Sequence, residues 1–307
     1  MGKKDYLPLR VVLQEVVTRD GLQNEKKILT VDEKVSLINS LIECGLTRIE
    51  VSSFVNPRLV PQMANAEELW GRIKRDENVV YSALVLSENG LERAIQCNAD
   101  HIGVWVSASE THSMKNNNKT IDESLRKTLL IVKKAKAANT IVRVGIMCAF
   151  GCAYEGMIPQ KKIEEIVKYF KYTQPDEVCL ADTSGMANPV QVETLVTGIK
   201  KIIGETQLSL HLHNTRGLGL VNAYAAMQKG VRLFDSSLGG VGGCPFIPNA
   251  SGNIATEDVS YMLQSIGIQT GVDSKKLINL SIGLGKLLGK ELPSVISKLY
   301  SDSTASS

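Results

Sequence analysis

The chain has 307 residues, a formal net charge of +3 and 43% hydrophobic residues, enough for one large core and without the clustered cations of a nucleic-acid binder. Its six cysteines form no CxxC pair, so no disulfide framework is implied. No apolar run reaches the roughly 20 residues of a membrane span and the start lacks a signal-peptide core, so a cytoplasmic protein with no membrane partner is expected. From the N-terminus, eight short apolar segments read as strands: 10–16, 48–53, 79–85, 101–107, 141–150, 177–182, 208–214 and 233–238. Longer helical stretches lie between them. Thr30 with Glu33 and Thr120 with Glu123 are capping boxes, and Asn188 before Pro189 offers a cap followed by proline in the first turn.

Strand and helix alternating eight times predict a closed (β/α)8 TIM barrel, a single catalytic domain over 1–307 with its core at about 10–265. A doubly wound sheet is the rival, but no GxGxxG follows the first strand. Residues 272–300 predict an extra C-terminal helix on the barrel, and the last seven a frayed tail.

Chemistry in such a barrel sits at the carboxyl ends of the strands. Here the first strand ends in "EVVTRDGLQNE", the second in Glu50 and Ser53, the sixth in "ADTSG" and the eighth in "GGVGGCPFIPNASGNIATED". The seventh ends in His211 and His213, which share one face of a strand and can hold one object between them. With Asp20 and an oxygen from Asn253 they supply a carboxylate, two imidazoles and an amide carbonyl. That donor set suits an octahedral Mg2+ or Mn2+ with positions left for substrate. The plain alternative, two polar strand-end histidines, is weakened by the acidic groups at the other strand ends.

The segments "EVVTRDGLQNE", "IEVSSFVNP", "SASETH", "FGCAYEG", "HLHNTRG" and "GGVGGCPFIPNASGNIATED" resemble those of the 3-hydroxy-3-methylglutaryl-CoA lyase family, in register from about residue 10 to 265. That family belongs to a metal-dependent barrel superfamily shared with isopropylmalate synthase. The resemblance implies a carbon–carbon lyase acting on an acyl-CoA thioester, a homo-oligomer, and a place in leucine degradation. The reaction is a retro-Claisen cleavage of 3-hydroxy-3-methylglutaryl-CoA to acetoacetate and acetyl-CoA. It further implies the ligand set Asp20, His211, His213 and Asn253, with Arg19 stabilising the developing enolate. Cys244, in a glycine-rich loop, then moves a proton at the enolate carbon. Glu50 and Asp182 match acidic positions around the metal and the substrate hydroxyl, and Gln23, Ser53 and Thr183 stand beside the substrate. Glu15 is expected to orient Arg19 or a metal-bound water. Glu257 is a supporting candidate only, since a carboxylate in the first turn of a helix is favoured by the dipole alone.

Four positions depart from the family pattern: Asn214 for aspartate, Phe246 for tyrosine, Asn249 for glycine and Ala153 for proline. They leave open a related branched 3-hydroxyacyl-CoA as substrate. A Claisen-type synthase would carry a regulatory domain after the barrel, and a biotin-dependent carboxyltransferase a lysine where Ala181 stands. A silent acyl-CoA-binding barrel would have no reason to keep four polar groups converged.

Overall fold

Strands and helices alternate along the chain as β1 (Val12–Glu15), α1 (Val31–Glu43), β2 (Arg48–Ser53), α2 (Ala66–Arg72), β3 (Val80–Leu84), α3 (Glu88–Gln96) and β4 (His101–Ser107). Next come α4 (Glu110–Asn117), α5 (Ile121–Ala137), β5 (Ile141–Met147), α6 (Gln160–Phe170), β6 (Glu177–Asp182), α7 (Pro189–Ile203) and β7 (Gln207–Leu212). The chain continues through α8 (Gly219–Gln228), β8 (Leu233–Ser236), α9 (Thr256–Ser265), α10 (Ser274–Leu288) and α11 (Val295–Ser301). The structure, a computed structural model, describes residues 7–243 and 252–301.

The eight strands form one closed barrel in sequence order. β8 returns to β1 in parallel, with Val12 opposite Leu233 and Glu15 opposite Ser236. Both faces of each strand are covered, which is why the segments read as apolar runs rather than alternating ones. Helix starts follow local chemistry: Thr30 and Thr120 complete their capping boxes, and Asn188 accepts the Gln191 N–H ahead of Pro189.

Five strands, β1, β3, β5, β7 and β8, stop earlier than their apolar runs. β1 ends because Val17–Gly21 winds into a single π-helical turn, and β5 ends before Cys148, whose φ of 57° breaks the extended backbone. The C-terminal extension is two helices, not one. Gly289 closes α10 in the left-handed conformation, and Pro293 precedes α11. Leu277 and Leu284 of α10 join the main core, and Asp258 of α9 accepts the N–H groups of Val295 and Ile296. No helix among the described residues is long and apolar enough to cross a membrane.

The barrel interior carries charge. Arg143 of β5 donates to Asp235 of β8 (2.7 Å) and pairs with Glu177 of β6 (2.9 Å), and Arg48 of β2 reaches Glu177 from the other side (2.8 Å). Arg143, Glu177 and Asp235 are all buried. Buried charges survive only when paired, so these residues cross-link four strands from within.

Candidate active site

The turn after β1 carries the first two site residues. A π turn is a frequent device at functional sites, and here it ends on the Leu22 N–H bonding the Val17 carbonyl at 2.8 Å. It places Arg19 and Asp20 side by side at the carboxyl rim of the barrel. Arg19 is 5% exposed. Its Nε donates to Glu50 Oε2 at 2.5 Å and its Nη1 to Asp20 Oδ1 at 2.6 Å. Burial opposes the guanidinium's charge, and Glu50 and Asp20 more than offset that, holding its pKa above the ordinary value. Burial holds the Glu50 carboxyl above its ordinary value, with the Arg19 guanidinium pulling the other way.

His211 lies within β7, and His213 follows its end. His211 Nδ1 is 3.0 Å from Asp235 Oδ2. An ionised carboxylate only accepts, so Nδ1 carries the proton and Nε2 keeps its lone pair. Nε2 of His211 stands 3.1 Å from Nε2 of His213 and 3.8 Å from Asp20 Oδ2. Burial and then His211 push His213 down to about 4, so its imidazole is neutral at pH 7. Burial works against the charge of Asp20, yet Arg19 and both histidines hold its pKa below the usual range.

Asn253 arrives by backbone pairing. Residues 252–254 run between the ends of β7 and β8: Asn214 N–H bonds the Gly252 carbonyl (2.7 Å), Ile254 N–H that of Leu212 (3.1 Å), and Ser237 N–H that of Ile254 (3.0 Å). Gly252 has φ +84° and approaches so closely that a Cβ there would lie 1.7 Å from the Gly242 carbonyl oxygen. No other residue fits. Asn253 Nδ2 then donates to Asp20 Oδ2 at 2.8 Å, while its Oδ1 is buried with no partner among the described residues.

These groups fit a divalent cation. The ligand atoms of Asp20, His211 and His213 all lie within 4.8 Å of one another. Two facing imidazole nitrogens and one carboxylate held anionic form a mixed oxygen–nitrogen donor set, and the Asn253 amide adjoins it through Asp20.

The cluster lies at one side of a cavity of about 400 Å³. Gln23, Ser53 and Thr183 also line it, and Gln23 Nε2 donates to Asp20 Oδ1 at 3.2 Å. Part of its wall is apolar, formed by Leu84, Trp105, Met147 and Ala181. A larger hollow of about 560 Å³ beside Arg10 and Gly271 lies away from this chemistry and carries no converged donors.

Three expected carboxylates stand elsewhere. Asp182 is spent on the turn after β6: its oxygens accept the Met186 and Ala187 N–H groups at 2.8 and 3.1 Å. Burial raises it to about 6, but it does not line the cavity. Glu15 does not orient Arg19. Its Oε1 accepts the N–H groups of Val17 and Leu238 (both 2.9 Å), and its Oε2 the Thr256 hydroxyl (2.7 Å). Glu257 accepts the Gly239 N–H (3.0 Å) and the Ser297 hydroxyl (2.8 Å), bracing the loop after β8 from behind. Asn214 Oδ1 accepts the Gly219 N–H at 3.1 Å, so it is turned to the start of α8. Cys244, Phe246 and Asn249 lie outside the described residues.

Burial raises Glu15 to about 7. The folded chain therefore holds a proton that the unfolded chain releases near pH 4.5, and stability falls as pH rises from there through 7, by about 3 kcal/mol in all. Glu15→Gln keeps an acceptor for both N–H groups and an amide donor for Thr256. Urea unfolding from pH 5 to 8 is expected to show a flatter profile in Glu15→Gln. Glu15→Ala, which strands two buried N–H groups, should cost about 3 kcal/mol at pH 5.

Sequence reasoning missed Asp235 and Arg143. Arg143 is the single polar residue of β5, Asp235 lies in the short β8, and only the barrel register brings Asp235 to His211 and Arg143 to Asp235.

The HMGL-like family model matches residues 10–282. Hydroxymethylglutaryl-CoA lyase of Bacillus subtilis is 40% identical over 287 residues, 94% of this chain and 96% of that protein. The human mitochondrial hydroxymethylglutaryl-CoA lyase is 39% identical, over 95% of this chain and 90% of its own. Among solved structures, the B. subtilis HMG-CoA lyase superposes with a TM-score of 0.93 at 39% identity, covering 96% of this chain and 99% of that one. An HMG-CoA lyase from Acinetobacter baumannii in complex with coenzyme A and 3-methylmalate gives 0.90 at 41%, covering 97% and 96%. The chain belongs to the HMGL-like family.

Proposed function

We propose that this chain is a hydroxymethylglutaryl-CoA lyase, a carbon–carbon lyase cleaving 3-hydroxy-3-methylglutaryl-CoA to acetoacetate and acetyl-CoA. The observation that carries the reading is Arg19 pinned beside the Asp20, His211 and His213 cluster, at one cavity on the carboxyl face of the barrel. Asp20, His211, His213 and Asn253 would hold a divalent cation, which when bound would supply Lewis-acid polarisation and orientation of the substrate's polar end.

The protein supplies the rest. The bond breaks as the tertiary hydroxyl gives its proton to the Asp20 carboxylate at the cavity wall and the carbon–carbon electron pair moves into the thioester, making an enolate. Arg19 is the donor for that charge. Two of its nitrogens are fixed by Glu50 and Asp20, and Nη2 has no partner among the described residues, so the guanidinium needs no reorganisation when the enolate forms. Asp182 serves by holding the β6 turn from which Thr183 reaches the cavity. Proton delivery to the enolate carbon is assigned to Cys244 on the family resemblance. Mg2+ or Mn2+ as the metal, a homo-oligomer, a cytoplasmic location and a role in leucine degradation belong to the same proposal.

The test is product analysis. With 3-hydroxy-3-methylglutaryl-CoA and Mg2+, acetoacetate and acetyl-CoA are expected in equal amounts. Excess chelator should abolish their release and added Mg2+ or Mn2+ restore it; full turnover in chelator overturns the metal assignment. If none of a panel of 3-hydroxyacyl-CoA esters is cleaved, the barrel is a binding protein instead.

A further inference from the structure

Trp105 of β4 pairs in register with Gly145 of β5. A Cβ on Gly145 would lie 2.1 Å from Trp105 Cε3, and one on Gly103 would lie 3.4 Å from Trp105 Nε1. The indole thus fills the space of a side chain its neighbour lacks. Two other contacts hold it. The Arg143 guanidinium stands 5.4 Å from its ring centroid, and the His211 ring meets it edge-on at 5.9 Å and 73°. Arg143 is itself fixed by Asp235 and Glu177, so the indole cannot retreat in that direction. What little of Trp105 is exposed faces the cavity it lines beside His211.

We infer that Trp105 is a specificity-determining residue, limiting the alkyl branch on the carbon that bears the hydroxyl to about the size of a methyl group. The inference rests on the lyase reading. That carbon carries a hydroxyl, a carboxylate arm, a thioester arm and the branch. The first three match the wall of Arg19, Asp20, Gln23 and the two histidines, whereas the branch has no polar group to offer. Its place is the wall of Trp105, Leu84, Met147 and Ala181. Apolar walls that give way discriminate poorly between homologues. A wall locked by a glycine and a buried ion pair does not give way, so a longer branch meets overlap rather than adjustment.

The experiment measures kcat/KM for the 3-methyl, 3-ethyl and 3-propyl forms of 3-hydroxyglutaryl-CoA, followed by acetyl-CoA release from the full chain with Mg2+. One methylene in such a pocket changes kcat/KM by about 10- to 200-fold. The wild type is expected to lose at least tenfold from methyl to ethyl. Trp105→Phe, which shortens the ring that lies over Gly145 and lines the cavity, should raise the ethyl-to-methyl ratio about tenfold while retaining Mn2+ binding. A ratio unmoved by Trp105→Phe overturns the inference, as does a wild type that cleaves the ethyl form as fast as the methyl form, whatever the variants' folding. A wild type that cleaves none of the three defeats the lyase reading itself.

Discussion

Arg19→Met is expected to lower kcat by about 100- to 1000-fold, the usual cost of removing one preorganised donor aimed at developing charge. The effect should fall on kcat more than on KM, because the enolate oxygen carries full charge only as the carbon–carbon bond breaks. The geometry supports a large value: the guanidinium is 5% exposed, held by Glu50 at 2.5 Å and Asp20 at 2.6 Å, and lines the cavity. Methionine matches the length of the stem but brings no donor. Arg19→Lys should recover little, since a single ammonium cannot hold both carboxylates and still present a third donor. Glu50, already raised by burial, is expected to take up a proton once its partner is gone, so the variant should still fold. Steady-state kinetics with thermal melting as the folding control decide the matter. Near-normal kcat in a folded Arg19→Met rules out the enolate role.

The barrel was legible because its strands are covered on both faces, leaving eight apolar runs separated by helices with strong caps. The histidine pair was legible for a similar reason: spacing of two within a strand fixes a shared face whatever the rest of the fold does. What stayed hidden depends on register across the barrel. Arg143 and Asp235 are 92 residues apart in sequence and 2.7 Å apart in space, and nothing local in "VRVG" or "LFDSS" announces the pair. Glu15 misled because it sits just before the Arg19 turn, yet its carboxylate points to the loop after β8 and to Thr256, 223 and 241 residues away. Glu257 carries more than its position suggested. Its place in the first turn of α9 suggested a dipole effect, whereas its oxygens reach the Gly239 N–H and the Ser297 hydroxyl. Carboxylates on strand and helix ends thus divide into those that face the cavity and those that tie loops together, and sequence proximity to a motif does not separate them.

The Asp235 carboxylate is expected to govern how tightly His211 binds a cation. It fixes the imidazole through Nδ1 at 3.0 Å and is itself fixed by Arg143 at 2.7 Å. Burial works against its charge, but Arg143 and His211 hold its pKa below the ordinary carboxylate range. The hydrogen bond to Asp235 keeps a proton on His211 Nδ1 and turns Nε2 toward His213 and Asp20. Loss of such an orienting partner typically weakens metal binding about 10- to 100-fold. Asp235→Ala should show that loss in Mn2+ titrations followed by electron paramagnetic resonance, with no substrate present. Removing one side of a buried ion pair also costs about 3–5 kcal/mol of stability, so a weaker fold alone is not diagnostic. Asp235→Asn separates the two effects. Its amide oxygen still accepts the Nδ1–H, so Mn2+ affinity should return most of the way even though the charge opposite Arg143 is gone. Equal Mn2+ affinity in the wild type and a folded Asp235→Ala would show that His211 is held in place by packing against Trp105 alone.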